Sequence, residues 1–174
     1  SAMAAVPALA DGNRLYITQD SSMAGGIGNT LFVDKSFASE SIVSGSLETE
    51  APATQTGGGN SAGVRIANTG GRISLNQTAL GSGRGNFADI NVSGLSAAGL
   101  LTQTGLNNNG TLNISGINSM GALEQYGDDN IGSVVVTGDN SIARLSQNGN
   151  SNDTSLTVTG ANADVTVTQT GNNL

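Results

Sequence analysis

The side chains best able to do chemistry in this chain are carboxylates and amides, because its 174 residues include no histidine and no cysteine. A Ser-His nucleophile, a thiol nucleophile and the usual zinc sites are therefore excluded. Paired carboxylates could still serve a glycosidase. The acidic candidates are Asp128, Asp129, Asp139, Asp153 and Asp164. They fall in predicted turns or beside predicted strands, so we interpret them as solvated charges that oppose lateral aggregation, and we predict no enzyme activity and no cofactor or metal.

The amide side chains follow a regular spacing. Gln103, Gln125, Gln147 and Gln169 recur every 22 residues, each two positions before a glycine. Every glutamine of the chain occupies the same slot; the seven are Gln19, Gln55, Gln77, Gln103, Gln125, Gln147 and Gln169. Gln55 and Gln77 are also 22 residues apart, whereas Gln77 and Gln103 are 26 apart. A fixed period of about 20 to 50 residues is typical of stacked-repeat proteins.

Asparagine and glycine keep the same period. The asparagines assigned to the repeat are Asn60, Asn86, Asn108, Asn130 and Asn152. The glycines assigned to its turns are Gly57, Gly94, Gly105, Gly116, Gly127, Gly138, Gly149, Gly160 and Gly171. Glycine adopts the positive φ angles that a tight arch needs, and asparagine tolerates them better than most residues. We therefore expect two arches in each repeat.

Between the arches, apolar residues alternate with polar ones. Leu112 and Ile114 belong to one arm of a repeat, and Leu123 shares its parity with Gln125 in the other arm. A period of two over arms this short predicts half-buried strands rather than helices. The predicted fold is all-β: a β-solenoid with two short strands and two arches per 22-residue rung, about six rungs and roughly 30 Å long.

The glutamines have the parity of the buried aliphatic residues, so the prediction turns them inward. One isolated inward amide costs a few kcal/mol. A stack of amides avoids this cost, because each side-chain N–H reaches the carbonyl oxygen of the next layer. The predicted ladder would also fix the strand register. Exposed arch corners are the alternative position for these glutamines.

The chain is expected to form one domain. Residues 1–12 are predicted to be a disordered tag or N-terminal segment, and Ala8-Leu9-Ala10 has the form of a signal cleavage site. Residues 13–174 would form the solenoid, with an inserted loop at about 34–54. The 36 residues from Gln19 to Gln55 are then one repeat plus about 14 extra residues. The four extra residues after Gln77 are assigned to an arch at 80–85.

The charge balance bears on the choice of partner. Thirteen acidic and six basic residues give a net charge of −7, which argues against nucleic acid as a partner. The sequence has no basic stripe for anionic lipid and no apolar run long enough for a transmembrane segment. A column of Ser93, Ser115, Thr137 and Thr159 suggests ice binding, although its neighbouring column is irregular.

The repeat resembles a known family. Segments 119–130 and 141–152 keep the spacing S-x5-Q-x-G-x2-N, and segment 55–62 has Q-x-G-x2-N-x-A. These motifs are similar to the curlin repeat over residues 55–174, and more loosely over 13–33. The resemblance implies a secreted subunit of extracellular amyloid fibres on a Gram-negative bacterium, serving adhesion and biofilm matrix. Its implied partners are further copies or another curlin-like subunit, as a major, minor or nucleator-like member.

One departure from the curlin repeat keeps an alternative open. The second glutamine of that repeat is replaced by aliphatic residues, namely Ile66, Val92, Ile114, Val136 and Val158. The alternative function is a soluble monomeric adhesin or surface-anchoring module that attaches a cell to a surface, to cell-surface polysaccharide or to a partner fibre. In that case the loop at 34–54 would cap one end or carry the contact. An ice-binding solenoid is the third hypothesis.

Overall fold

The computed structural model describes residues 12–21, 27–79, 81 and 84–174. The predicted disordered segment therefore lies, except for Gly12, outside the described residues. Within them the chain forms fifteen strands, β1 to β15, and no helix. All strand pairs are parallel and belong to two sheets.

The nine-stranded sheet, called here the glutamine sheet, contains the slots of all seven glutamines. Its strands are β1 (Arg14–Leu15), β2 (Ile17–Asp20), β4 (Ile42–Ser44), β5 (Ala53–Gly57), β7 (Arg72–Ala79), β9 (Ala98–Thr104), β11 (Met120–Tyr126), β13 (Ile142–Asn148) and β15 (Asp164–Thr170). They occupy seven layers, because β1 with β2 and β4 with β5 each share one layer.

The six-stranded sheet, called here the asparagine sheet, faces the first across the core. Its strands are β3 (Thr30–Asp34), β6 (Ser61–Ile66), β8 (Phe87–Val92), β10 (Asn109–Ile114), β12 (Ile131–Val136) and β14 (Asp153–Val158). The chain alternates between the two sheets, so each 22-residue repeat contributes one strand to each. The predicted all-β solenoid of stacked two-strand rungs is confirmed.

The alternating sequence explains why these segments form strands. In β10, Leu112 and Ile114 are fully buried while Thr111 and Asn113 point outward. Successive side chains of a strand point to opposite faces, and the same parity is buried in each central layer. Leu101, Leu123 and Leu145 consequently form one buried column across adjacent layers. Each such side chain contributes about 1.5–3 kcal/mol when fully buried.

The segment expected to be one inserted loop, at about 34–54, contains a strand of the stack. Strand β4 lies within 34–54, pairs with β1 and β7, and buries Val43 completely. The chain leaves the stack only at 45–52 and re-enters it at Ala53, which pairs with Ile17. Three strand residues followed by an eight-residue gap are too short to show an alternating period, so the sequence pattern missed β4.

The loop at 45–52 lies along the outer face of the glutamine sheet rather than over an end of the stack. Arg72 Nη1 donates to the carbonyl oxygen of Leu47 at 2.7 Å, and Asn76 Nδ2 donates to that of Gly45 at 2.9 Å. Arg14 forms an ion pair with Glu50. These contacts fix the loop beside the first three layers.

In the part of the chain described, no helix is long and apolar enough to cross a membrane.

Candidate functional site: the amide ladders

The glutamine side chains form one continuous hydrogen-bonded ladder through the glutamine sheet. Each Nε2 donates to Oε1 of the next glutamine along the chain. The six distances, from Gln19–Gln55 to Gln147–Gln169 in order, are 2.5, 2.7, 2.8, 2.8, 2.9 and 3.1 Å. Every bond has the same direction, so all the amide dipoles of this ladder are aligned.

The glutamines also connect the two sheets. The second N–H of Gln103 donates to the backbone carbonyl of Phe87 at 2.8 Å, and that of Gln147 to Ile131 at 2.9 Å. Both carbonyls lie at the start of asparagine-sheet strands. The five glutamines of the interior layers, from Gln55 to Gln147, are at most 1% exposed, whereas Gln169 is half-buried and Gln19 is exposed. The amides of the interior layers thus have hydrogen-bond partners both in the ladder and on the asparagine sheet, as buried polar groups require.

A second ladder of asparagines crosses the arch after each glutamine strand, with the opposite direction. Asn108 Nδ2 donates back to Asn86 Oδ1 at 3.0 Å, and Asn130 Nδ2 donates to Asn108 Oδ1 at the same distance. Each Oδ1 also accepts the backbone N–H of the asparagine in the next layer, as in Asn152 N to Asn130 Oδ1 at 3.0 Å. Asn86 Nδ2 donates in the same way to Asn60 Oδ1, at 3.3 Å.

The asparagines also hold the arch against the glutamine strand. Side-chain donation to the next layer is made by Asn86, Asn108, Asn130 and Asn152, each from Nδ2 to the carbonyl oxygen of a glycine. That glycine lies two positions after the glutamine of the next layer. These glycines are Gly105, Gly127, Gly149 and Gly171, at 2.7 to 2.9 Å. Every predicted ladder asparagine is therefore buried and hydrogen-bonded in the arch.

Two further sets of ladder residues were absent from the sequence prediction. Asn29 heads the asparagine ladder, since its Oδ1 accepts the backbone N–H of Asn60 at 3.0 Å. Its spacing of ten residues from Gln19, instead of five, concealed it. Its position directly before a strand, like that of Asn60, was the available signal. In the other arch, Ser119 Oγ donates to Gly138 O and Ser141 Oγ to Gly160 O, both at 2.7 Å.

The predicted arch glycines belong to two groups. Gly57, Gly105, Gly127, Gly149 and Gly171 have positive φ, as expected. Gly94, Gly116, Gly138 and Gly160 do not, so the expectation that they supply left-handed backbone is wrong. Close stacking explains Gly94, Gly116 and Gly138, because a Cβ added to Gly138, for example, would lie 2.1 Å from the carbonyl oxygen of Gly160. In this arch the left-handed position is held by Ser96, Asn118, Asn140 and Asn162, with φ between 52° and 57°.

The acidic residues of the arches are acceptors within the stack. Asp128 Oδ1 accepts the backbone N–H of Leu106, and Asp139 Oδ1 accepts that of Ile117, both at 2.8 Å across one layer. Asp164 forms an ion pair with Arg144 at 2.7 Å. The sequence interpretation treated them only as solvated charges. Among the residues described, no group of three His, Cys, Asp or Glu side chains could hold a metal ion.

The glutamine ladder is unfinished at both ends of the stack. Within the described residues, Gln169 Nε2 has no acceptor and Gln19 Oε1 has no donor, because every ladder bond points from Gln19 toward Gln169. Strands β14 and β15 form one pair of sheet edges, and β1, β2 and β3 form the other. Leu15 and Ile17, which occupy inward positions in the first layer, are 38% and 39% exposed. Among the residues described, each end therefore presents backbone edges, an amide and apolar side chains together.

Comparison with known proteins gives one family match. Residues 138–171 match the family model of the curlin associated repeat. This segment includes Ser141, Gln147, Gly149 and Asn152, all of which are buried or positioned in the ladders just described. No curated protein and no solved structure matches the chain. The matched segment contains β13, β14 and β15, so the chain is similar to the curlin associated repeat over the last layers of the stack.

Proposed function

We propose that the protein is a secreted structural subunit of extracellular fibres that serve adhesion and biofilm matrix. The observation that carries the proposal is the polarity of the glutamine ladder, which in the described part of the chain leaves the Gln169 donor and the Gln19 acceptor open. When the Gln169 end of one copy meets the Gln19 end of another, the donor faces the acceptor. Two identical ends would instead place donor against donor or acceptor against acceptor.

Backbone pairing and apolar burial favour the same contact. Sheet edges carry unpaired N–H and C=O groups that accept a further strand. The inward side chains of β15, Val165 and Val167, are only partly buried, and so is Leu31 at the opposite end. Stacking the two ends covers these side chains and adds about 25 cal/mol for each Å² of apolar surface removed from water. The same slots recur in each layer, so the incoming copy meets a matching template.

Purified protein should therefore form fibres, followed by thioflavin fluorescence and electron microscopy. The informative variant is Gln169→Arg, which places an unpaired charge at the proposed junction; Thr168→Arg adds the same charge on the exposed outward face of β15. Because a buried unpaired charge is costly, we expect Gln169→Arg to slow fibre growth about tenfold or more, and Thr168→Arg to leave it within about twofold. Circular dichroism melts establish that both variants are folded. A wild type that stays monomeric and dye-negative would refute the proposal, as would equal growth of the two variants.

The proposed location is the surface of a Gram-negative bacterium. Support comes from the curlin associated repeat match. Antibody labelling of intact cells that express the protein, compared with permeabilised cells, provides the test. Labelling only after permeabilisation would contradict secretion.

The second candidate is a monomeric adhesin, favoured by the loop at 45–52. This segment has no place in the stacked strands, yet Arg14, Arg72 and Asn76 fix it on one side of the molecule. Removing 45–52 and joining Ser44 to Ala53 leaves the stack intact, whereas removing 34–54 would delete β4. Loss of surface attachment by a still-monomeric deletion variant would favour the adhesin; unchanged attachment with normal fibres would favour the fibre subunit.

A further inference from the structure

A shallow groove of about 260 Å³ crosses the outer face of the asparagine sheet. It is lined by Phe32, Gly63, Arg65, Asp89, Asn91 and Asn113, with Val64 beneath. We propose that this groove binds an extended, neutral polysaccharide built of pyranose rings. The inference is independent of fibre formation, since the groove lies on the side of the stack and the proposed junctions lie at its ends.

The parallel register aligns the groove along the stacking axis. Phe32, Gly63 and Asp89 pair in successive layers and form one outward column. Arg65, Asn91 and Asn113 pair in the same way and form the neighbouring column. With layers about 4.8 Å apart, the groove spans roughly 14 Å from the layer of Phe32 to that of Asn113. The rise of one residue in an extended pyranose chain is close to this layer spacing, so successive sugar rings would lie over successive layers of the two columns.

The groove offers an apolar surface for the flat face of a sugar ring. Phe32, in the groove, is 62% exposed; Phe87 points outward on the same sheet beyond the residues that line the groove and is 47% exposed. Leaving an aromatic ring in water forgoes its large burial energy. The chain contains only three phenylalanines, and two of them occupy this face.

The polar groups beside the ring are free to bind hydroxyl groups. No hydrogen bond within the described residues uses the side chains of Asp89, Asn91 or Asn113, in contrast to the asparagines of the ladder. An amide both donates and accepts, and a carboxylate accepts, which matches the two roles of a sugar hydroxyl. Arg65 lies 3.4 Å from Asp34 in an ion pair. Together with Asp89 this leaves no net positive charge, so the groove suits a neutral ligand better than an anionic one.

Gly63 provides the space between Phe32 and Asp89. An added Cβ would meet only Asp89 Oδ1, at 3.8 Å, and the φ of Gly63 is not positive. Backbone strain and crowding therefore do not require glycine here, whereas Gly110 and Gly132 of the inner column would bring a Cβ within about 3.0 Å of core atoms. Filling this position closes the groove without disturbing the stack, so Gly63→Val is a sharp test.

The experiment measures binding of cellohexaose, an extended β-linked probe, to freshly prepared monomeric full-length chain by titration calorimetry. Maltohexaose, which is curved, serves as the ligand control. We expect cellohexaose to bind, and Gly63→Val and Phe32→Ala each to weaken it about tenfold or more, as loss of a stacking contact or of the groove implies. Phe37→Ala removes an 82% exposed phenylalanine outside the groove and should leave binding unchanged.

Several results would overturn the proposal. These are absence of cellohexaose binding, equal binding of maltohexaose, or equal affinity of wild type and Gly63→Val when both have the same melting temperature. Sedimentation velocity provides a further readout. If Phe32→Ala or Gly63→Val changes the association state and not glycan binding, the face is a protein interface instead. Fibre growth of both variants should match wild type, which separates this test from that of the proposed fibre function.

Discussion

Gln77 Nε2 donates to Gln103 Oε1 at 2.8 Å although 26 residues separate them, and Gln103 donates to Gln125 at the same distance across 22 residues. The sequence has its four additional residues between Gln77 and Asn86, which are nine apart instead of five. The strands on both sides keep their register. An arch can therefore lengthen without cost to the ladder, because only the strand positions stack.

Breaking the ladder in an interior layer should be costly. Gln103→Leu leaves Gln125 Oε1 and the carbonyl of Phe87 without their side-chain donor, and removes the acceptor used by Gln77. We expect the free energy of unfolding to fall by roughly 2–4 kcal/mol, since each buried unsatisfied group costs about 1–3 kcal/mol. Gln169→Leu, in the partly exposed last layer, should cost less than about 1 kcal/mol. Urea unfolding of the monomers measures both, and equal losses would contradict a cooperative buried ladder.

The two glycines of one arch column should differ sharply in tolerance of alanine. A Cβ at Gly138 would lie 2.1 Å from Gly160 O, whereas a Cβ at Gly160 meets nothing within 4 Å. We expect Gly138→Ala to destabilise by about 2–3 kcal/mol through overpacking. Gly160→Ala should change stability by less than about 0.5 kcal/mol. Thermal melts provide the comparison, and a tolerated Gly138→Ala would show that layers can separate locally.

Thr154 offers a stabilising substitution. Its hydroxyl is buried without a hydrogen-bond partner among the described residues, and it occupies the inward slot that Gly132 holds in the preceding layer. Thr154→Val removes the unsatisfied hydroxyl and keeps the shape, so we expect a gain of about 1 kcal/mol. Thr157→Val, outward on the same strand, should stay within about 0.5 kcal/mol of wild type. A loss of stability in Thr154→Val would indicate that the hydroxyl has a partner in solution.

Lys35 should make stability depend on pH. Its Nζ donates to the carbonyl oxygens of Arg14 at 2.6 Å and Ser41 at 2.9 Å, and burial lowers its pKa from 10.5 to about 8. Between these values the unfolded chain binds more protons than the folded chain, so stability rises with pH above 8, by at most about 1.4 kcal/mol per pH unit. Denaturant titrations from pH 7 to 9.5 measure the slope. Lys35→Met should flatten it; an unchanged slope in this variant would assign the effect to another group.

The sequence by itself determined which side chains each layer contains and which of them stack on one another. The 22-residue period and the constant parity of glutamine and aliphatic residues specify which side chains stack, because parallel layers in register must superimpose equal slots. Leu101 over Leu123, and Gln103 over Gln125, follow from this rule alone. The positive φ of Gly105 and Gly127 follows from the same reasoning, since both end a strand at a tight arch.

The tertiary structure decided two things: the direction of the hydrogen bonds in each ladder, and the layer positions of residues where the 22-residue spacing is interrupted. The opposite polarities of the glutamine and asparagine ladders arise from how each amide faces its neighbouring layer, and residue type alone carries no such information. Asn29 and β4 lie where extra residues interrupt the period, and their pairing shows which slots they occupy. The groove beside Phe32 arises because one column holds phenylalanine, glycine and aspartate in successive layers. Such a surface depends on unlike side chains in successive layers. A repeat pattern records only what the repeats share, so it does not contain these differences.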